Sequence, residues 1–142
     1  MSTQILFPKD TILVTKNFNF GQDWEIPIPA FFIAGAQDKT KRSVQDFTDD
    51  ELTELILNIK KIRIAMTKVL SIKDVYFFQN EDTEHGFHVW IFPRYEWMEQ
   101  FGRKIESVRT IINYAQQHMD TDLNLKEVKG VAKKVKEYLD QS

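Results

Sequence analysis

An α+β fold is predicted by three observations. Segments of strand composition, rich in β-branched and aromatic residues, stand at 11–18, 30–36, 75–80 and 86–93. Long stretches with apolar residues at threes and fours, the spacing of a helix that lays one face on a sheet, are inserted between and after them. The strands follow one another in a succession compatible with antiparallel pairing, which together with inserted helices is the α+β pattern.

TILVTKNF (11–18) opens the strand set, and the turn-forming FGQDWEIPIP (20–29) leads into AFFIAGA (30–36). Pro27 and Pro29 hold that approach extended and keep it out of a central strand interior. Residues 38–46 are polar and loop-like. Thr48, Asp49, Asp50 and Glu51 make a capping box, in which the Thr48 hydroxyl accepts from the Glu51 amide and Glu51 reaches back. The helix so opened carries Leu52, Leu55, Ile56, Ile59, Ile62, Met66, Val69 and Leu70 on one stripe. Residues 71–74 break the period. VYFFQN (75–80) and GFHVWIFP (86–93) flank the acidic turn NEDTE and are expected to form a hairpin. A second long helix is expected from about Glu96 to His118, with Met98, Phe101, Ile105, Val108, Ile112, Ala115 and Met119 facing inward. Asn124, Leu125, Lys126 and Glu127 cap a short third helix bearing Leu125, Val128, Ala132, Val135 and Leu139.

A chain of 142 residues is expected to form one domain, 1–142, and is long enough for a sizeable core. Its 42% hydrophobic and 28% charged residues are those of an ordinary soluble globular protein. A formal net charge of −2 argues against nucleic acid as a main partner. The absence of cysteine excludes disulfides, thiolate metal sites and cysteine nucleophiles. MSTQILFPKD lacks a basic region followed by an apolar stretch, so no signal peptide is expected. The longest apolar run, AFFIAGA, is far short of the roughly 20 residues of a membrane span. A cytoplasmic location away from membranes is therefore expected.

Chemistry concentrates in HGFHVWIFPRYEWM (85–98). Side chains of a strand alternate faces, so Gly86, His88, Trp90 and Phe92 share one face, while Phe87, Val89 and Ile91 share the other and are core. Gly86 leaves open space beside His88. If a backbone carbonyl holds the His88 Nδ1–H, the Nε2 lone pair is presented as a nucleophile or base. The carbonyl of Gly86 can serve, because glycine makes the required bend inexpensive. By pattern alone, a packed structural histidine and a Trp90 that merely fills the core remain open. A metal site from Glu81, Asp82, Glu84, His85 and His88 is disfavoured, since His85 and His88 point opposite ways along a regular strand. No feature demands a metal or other cofactor in the protein. Gln79 and Asn80 are candidate phosphate donors or plain turn polarity. Lys39, Lys41 and Arg42 form a basic loop, Arg94 can pair with Glu96 or a phosphate, and His118 suits the dipole at a helix end.

GFHVWIFPR resembles the signature of the histidine-triad (HIT) superfamily, in which alternating histidines separated by apolar residues lead into a Pro-Arg type end. Laid on it by Pro93 and Arg94, Gly86 falls at the first histidine, His88 at the middle one and Trp90 at the third. DWEIPIPAFFIAG is similar to the family's first segment. The helix after QDFTDDE and the strand at 76–79 follow in the family's order, so the likeness covers roughly residues 10–118. The variant resembles a bacterial branch labelled diadenosine polyphosphate hydrolase-like, with a degenerate triad. The resemblance implies a HIT-like antiparallel sheet of about five strands, two long helices and an extra C-terminal helix at about 124–140 that lies outside the likeness. It also implies a homodimer whose sheets join edge to edge.

The same resemblance implies a function. The family's middle histidine, here His88, attacks the α-phosphorus of a nucleotide, and water or another acceptor resolves the nucleotidyl-histidine. The implied substrate is a nucleoside phosphate or dinucleoside polyphosphate, with Mg²⁺ arriving, if at all, on the substrate. Asp23 falls where the ribose hydroxyls bind, and Gln79, Asn80, Gly86 and Phe31 fall around the substrate. The chain departs from the family at Phe31, which stands behind Ala30 where a separate upstream histidine is usual. At the third triad position the Trp90 indole donates one hydrogen bond but cannot carry a proton across. A positioned proton donor is typically worth about 10²–10⁴ in rate. His85, one residue from the first slot, is a candidate to occupy its space. The implied outcome is a slower enzyme, one limited to good leaving groups, or a non-catalytic nucleotide-binding module that has lost the proton relay.

Overall fold

The computed structural model describes residues 11–82 and 84–141. Residues 1–10, with the segment read for a signal peptide and the expected start of the family likeness, Thr83 in the acidic turn and Ser142 lie outside the described residues. The elements run β1 (Thr11–Val14), β2 (Phe18–Gln22), β3 (Phe32–Ala36), α1 (Asp49–Leu70), β4 (Val75–Phe78), β5 (His88–Pro93), α2 (Ser107–His118) and α3 (Asp122–Gln141). Short 3-10 turns occupy Val44–Asp46 and Glu96–Phe101. The strands make one antiparallel sheet in the order β1-β2-β3-β5-β4. The expected hairpin is present, with Phe78 registered on Trp90 and Val75 on Pro93.

The stretch 11–18 is not one strand. Glu54 of α1 accepts from the Thr15 hydroxyl at 2.5 Å, the Asn17 amide at 2.8 Å and the Asn17 side chain at 2.7 Å. This clasp turns the chain at 15–17, so residues 18–22, expected partly as a turn, become β2. A local carboxylate from a distant helix makes the difference, and strand composition does not reveal it.

Helix α1 opens on the expected box: Thr48 Oγ1 accepts from the Glu51 amide at 3.1 Å, and Glu51 Oε1 accepts from the Thr48 amide at 2.9 Å. It ends at Ser71 in the left-handed region, φ 57°. Leu55, Ile59, Ile62, Ala65 and Met66 are buried, but Ile56, expected inward, is 60% exposed. At 100° per residue Ile56 falls beyond the edge of the stripe centred on Ile59 and Ile62.

The second long helix is broken. After the 3-10 turn, Gly102 (φ 89°) and Lys104 (φ 71°) take left-handed conformations, and α2 starts only at Ser107. Ile105, expected in the core, is 58% exposed, and Ile111 is buried. The buried Arg94 guanidinium explains the break: it donates to the Gly102 carbonyl at 2.8 Å, Glu99 at 3.3 Å and the Ser107 hydroxyl at 3.2 Å. Those acceptors take the two terminal nitrogens of a charge buried beneath the segment, while Nε is buried without a partner. Helix α3, expected to be short, spans 20 residues and starts at Asp122. Asn124 does not cap it; its side chain donates to the carbonyls of Pro27 and Met119, each at 2.8 Å.

The sheet lies between two layers. Phe20, Phe32, Ala34, Phe87 and Ile91 pack with buried residues of α1 and α3. Ile28, Phe31 and Phe92 pack with Met98, Val108, Ile111 and Ile112, under α2. Phe87, Val89 and Ile91 thus face α1, as alternation requires, and His88, Trp90 and Phe92 face α2. Among the described residues no helix is long and apolar enough to cross a membrane.

Candidate active site

His88 begins β5, registered against Gly35 of β3. Its Nδ1 lies 2.8 Å from the Gly86 carbonyl. A carbonyl only accepts, so Nδ1 carries the hydrogen, and the neutral ring keeps its lone pair on Nε2. Among the described residues this is the ring's one hydrogen bond. The side chain is 6% exposed and lines a cleft of about 330 Å³ between the β4–β5 end of the sheet and α2. Burial lowers its pKa, partly opposed by the Gly86 bond, with His85 and Lys39 adding in the same direction as burial. The imidazole is therefore held neutral near pH 7.

Gly86 does not leave open space. A Cβ there would stand 3.1 Å from the Lys39 carbonyl oxygen and 3.2 Å from its Cα. The glycine is required because the 38–41 loop crosses directly over it, and Phe87 continues the contact by donating to the Lys41 carbonyl at 2.8 Å. The loop thereby sets the carbonyl that orients His88.

Trp90 packs edge-on against His88, ring centroids 4.3 Å apart, and stacks on Phe78 at 5.4 Å. Its indole N–H, the one hydrogen-bond donor of that side chain, is directed at Asp23 Oδ2 at 3.3 Å. Asp23 follows β2, is 2% exposed, and accepts from the Glu25 amide at 3.0 Å. Burial raises its pKa to about 6, against the bonds from Glu25 and Trp90. Phe31 forms the apolar floor, edge-on to Phe92 at 5.1 Å. It enters from Ala30, which adopts φ 63°, a conformation suited to glycine.

His85 reaches the cleft, its ring 6.3 Å from that of His88. Asn80 lines it too and donates to Asp82 at 2.8 Å. Gln79 does not line the cleft; it lies just beyond β4, on the alternate side from Phe78, and bonds the Asn80 carbonyl. The basic loop is structural: Lys39 donates to the Ala36 carbonyl, Lys41 to Asp46 and Glu51, and Arg42 to the carbonyls of Glu81 and His85. Arg94 pairs with Glu99, not Glu96, away from the cleft. His118 ends α2 and packs on Tyr114. No cluster of three or more metal-ligating side chains is assembled among the described residues.

Glu25, Ile26, Phe78, Arg109, Ile112 and Gln116 complete the lining, and none of the six is among the site residues expected from the sequence. A signal existed for three of them. Positions 109, 112 and 116 follow i, i+3, i+7 spacing, so the inward Ile112 brings Arg109 and Gln116 to the same face.

No family model and no curated protein matches the chain by sequence. Solved structures do match. A Hit-like protein of Bartonella henselae involved in cell-cycle regulation superimposes with TM-score 0.60 at 18% identity, over 92% of this chain and 86% of that one. The Plasmodium falciparum diadenosine triphosphate hydrolase gives 0.51 at 15%, over 81% and 79%. The C. elegans NitFhit protein gives 0.59 at 14%, over 82% of this chain but only 29% of its own length. The fold is that of the histidine-triad proteins. On this HIT-like frame a five-stranded antiparallel sheet carries His88 at the start of β5, facing a cleft roofed by α2.

Proposed function

We propose that the protein is a nucleotidyl hydrolase or transferase acting on nucleoside phosphates or dinucleoside polyphosphates, with His88 as nucleophile. One observation carries the reading: the Gly86 carbonyl fixes Nδ1–H at 2.8 Å, which leaves Nε2 as the lone-pair nitrogen of a ring lining the cleft. In the first step Nε2 bonds to the α-phosphorus while the bond to the leaving oxygen breaks, and that oxygen departs with the electron pair. In the second, water bonds to phosphorus, the P–N bond breaks, and the water proton passes to solvent. The HIT-like fold, shared with a protein described as a diadenosine triphosphate hydrolase, supports the choice of substrate class. Incubation with dinucleoside polyphosphates and nucleoside triphosphates is expected to release nucleoside monophosphate. His88→Asn is expected to abolish release and keep the melting temperature within a few degrees; unchanged turnover in that variant removes His88 from the reaction.

A second reading, a nucleotide-binding module without turnover, is favoured by a different observation. The Trp90 N–H is directed at Asp23, and Phe31 stands where an upstream histidine is usual, so neither supplies a proton to a leaving group. Stabilisation by nucleotide with no product formed selects this reading.

We also propose a homodimer. Strand β4 is an edge of the sheet and exposes Phe77, and α1 exposes Ile56, Leu57 and Ile64. An edge strand with an exposed aromatic side chain and a helix with exposed aliphatic ones each offer surface that isologous pairing can bury.

A further inference from the structure

We infer that Arg109 is the anion anchor of the cleft and holds a phosphate group of the bound ligand; the inference rests on the nucleotide reading above and deepens it. The chain has five arginines. Four donate to the protein itself: Arg42 to the carbonyls of Glu81 and His85, Arg63 to Thr67 and the Lys73 carbonyl, Arg94 to Ser107, Glu99 and Gly102, and Arg103 to Glu99 and Asp74. Arg109 lines the cleft that holds His88 and His85, and among the described residues it makes no hydrogen bond or ion pair.

The acids of the same cleft do not neutralise it. Asp23 is occupied by Trp90 and the Glu25 amide, and Glu25 Oε2 is buried with no partner. Nor does Arg109 serve its helix. It is the third residue of α2; Glu106 at the N-cap makes no ion pair with it, the first turn itself carries no acid, and a cation at the positive end of a helix is unfavourable. A guanidinium so placed gives two parallel donors to phosphate oxygens, and the helix end adds a field of the same sign.

The need is also evident from the rest of the lining. Trp90 directs its N–H at Asp23, Gln79 is turned away, and the ammonium of Lys39 bonds the Ala36 carbonyl. The permanent positive charge lining the cleft is therefore Arg109, in the position to take non-bridging or distal phosphate oxygens as charge develops there. The ligand class follows: a phosphorylated group whose anion reaches α2 while phosphorus approaches His88.

Calorimetry with nucleosides, their diphosphates and inorganic pyrophosphate tests this on the wild type, Arg109→Gln, Arg109→Lys and Arg63→Gln. Wild type is expected to bind a diphosphate at least tenfold more tightly than its nucleoside. Arg109→Gln should erase that ratio with nucleoside binding unchanged, Arg109→Lys should keep part of it, and Arg63→Gln, with the same change in net charge, should keep it all. Retention of the ratio in Arg109→Gln, or a wild-type ratio near one, overturns the inference while leaving nucleotide binding intact. If no nucleotide binds but pyrophosphate does, and Arg109→Gln loses it, the nucleotide reading falls and the anion anchor stands. If neither binds, both fall.

Discussion

Two residues beside His88 carry consequences for stability and rate. Asp23 has a folded pKa of about 6, raised above the ordinary value of 3.8 by burial. Folding therefore favours its protonated form. Its contribution is fully present below about pH 4 and is lost as pH rises to about 6, a change on the order of 3 kcal/mol. Lowered carboxylates such as Glu54 run the opposite way, so the difference between proteins is the useful measurement. Thermal melts of wild type are expected to lose stability relative to Asp23→Asn between pH 4 and 6, and to run parallel to it above. Gly86 makes a separate prediction. Its neighbour in Gly86→Ala is Lys39 backbone, which cannot swing aside. Overpacking of that kind costs about 1–3 kcal/mol, and the displaced carbonyl no longer holds Nδ1. Turnover is expected to fall by more than the melting temperature alone explains, as steady-state rates on the folded protein will measure.

Among the elements, the segment from β5 to α2 depends on Arg94. Its guanidinium is buried, sits over the Tyr76 ring at 5.5 Å, and is held by Gly102, Ser107 and Glu99. Removing one partner of a buried charge pair typically costs about 3–5 kcal/mol. Glu99 keeps its bond to Arg103 at 2.8 Å and is largely accessible, so Arg94→Met should fall at the low end, about 3 kcal/mol, by urea denaturation. The turn into β3 shows a closer balance. Relief of the left-handed Ala30 by Ala30→Gly is worth roughly 1–2 kcal/mol, against about 0.8 kcal/mol for the buried methyl. Glycine also costs roughly 0.5–1 kcal/mol more in chain entropy than alanine, and with that third term the balance is close to zero, which accounts for an alanine being tolerated there.

For the whole molecule, the open question is association. The sheet order leaves β4 as an edge, with Phe77 48% exposed on it. Light scattering is expected to report a dimer for wild type and a monomer for Phe77→Glu, with the fold kept; a wild-type monomer at all concentrations ends the dimer proposal. Helix α3 packs Val128, Val131 and Val135 inward, the latter two in the core of α1 and the sheet. Through Asn124 it also fastens the carbonyl of Pro27, next to the wall of the cleft. Its place is thus structural as well as peripheral to the site.

Local pattern determined much of this by itself. The Thr48 capping box, the alternation that puts Phe87 and Ile91 on one face and His88 on the other, and the β4–β5 hairpin all depend on residues close in sequence, whose geometry is set by backbone periods. Tertiary structure decided the rest. Glu54 splits the first strand from a helix some forty residues away, Arg94 breaks the second helix from beneath, Lys39 fills the space beside Gly86, and Asp23 takes up the Trp90 N–H. Glu54, Lys39 and Asp23 act across long stretches of sequence, whereas Arg94 acts on acceptors 5 to 13 residues further on; in every case the deciding contact exists only once the chain is folded, so local composition does not record it.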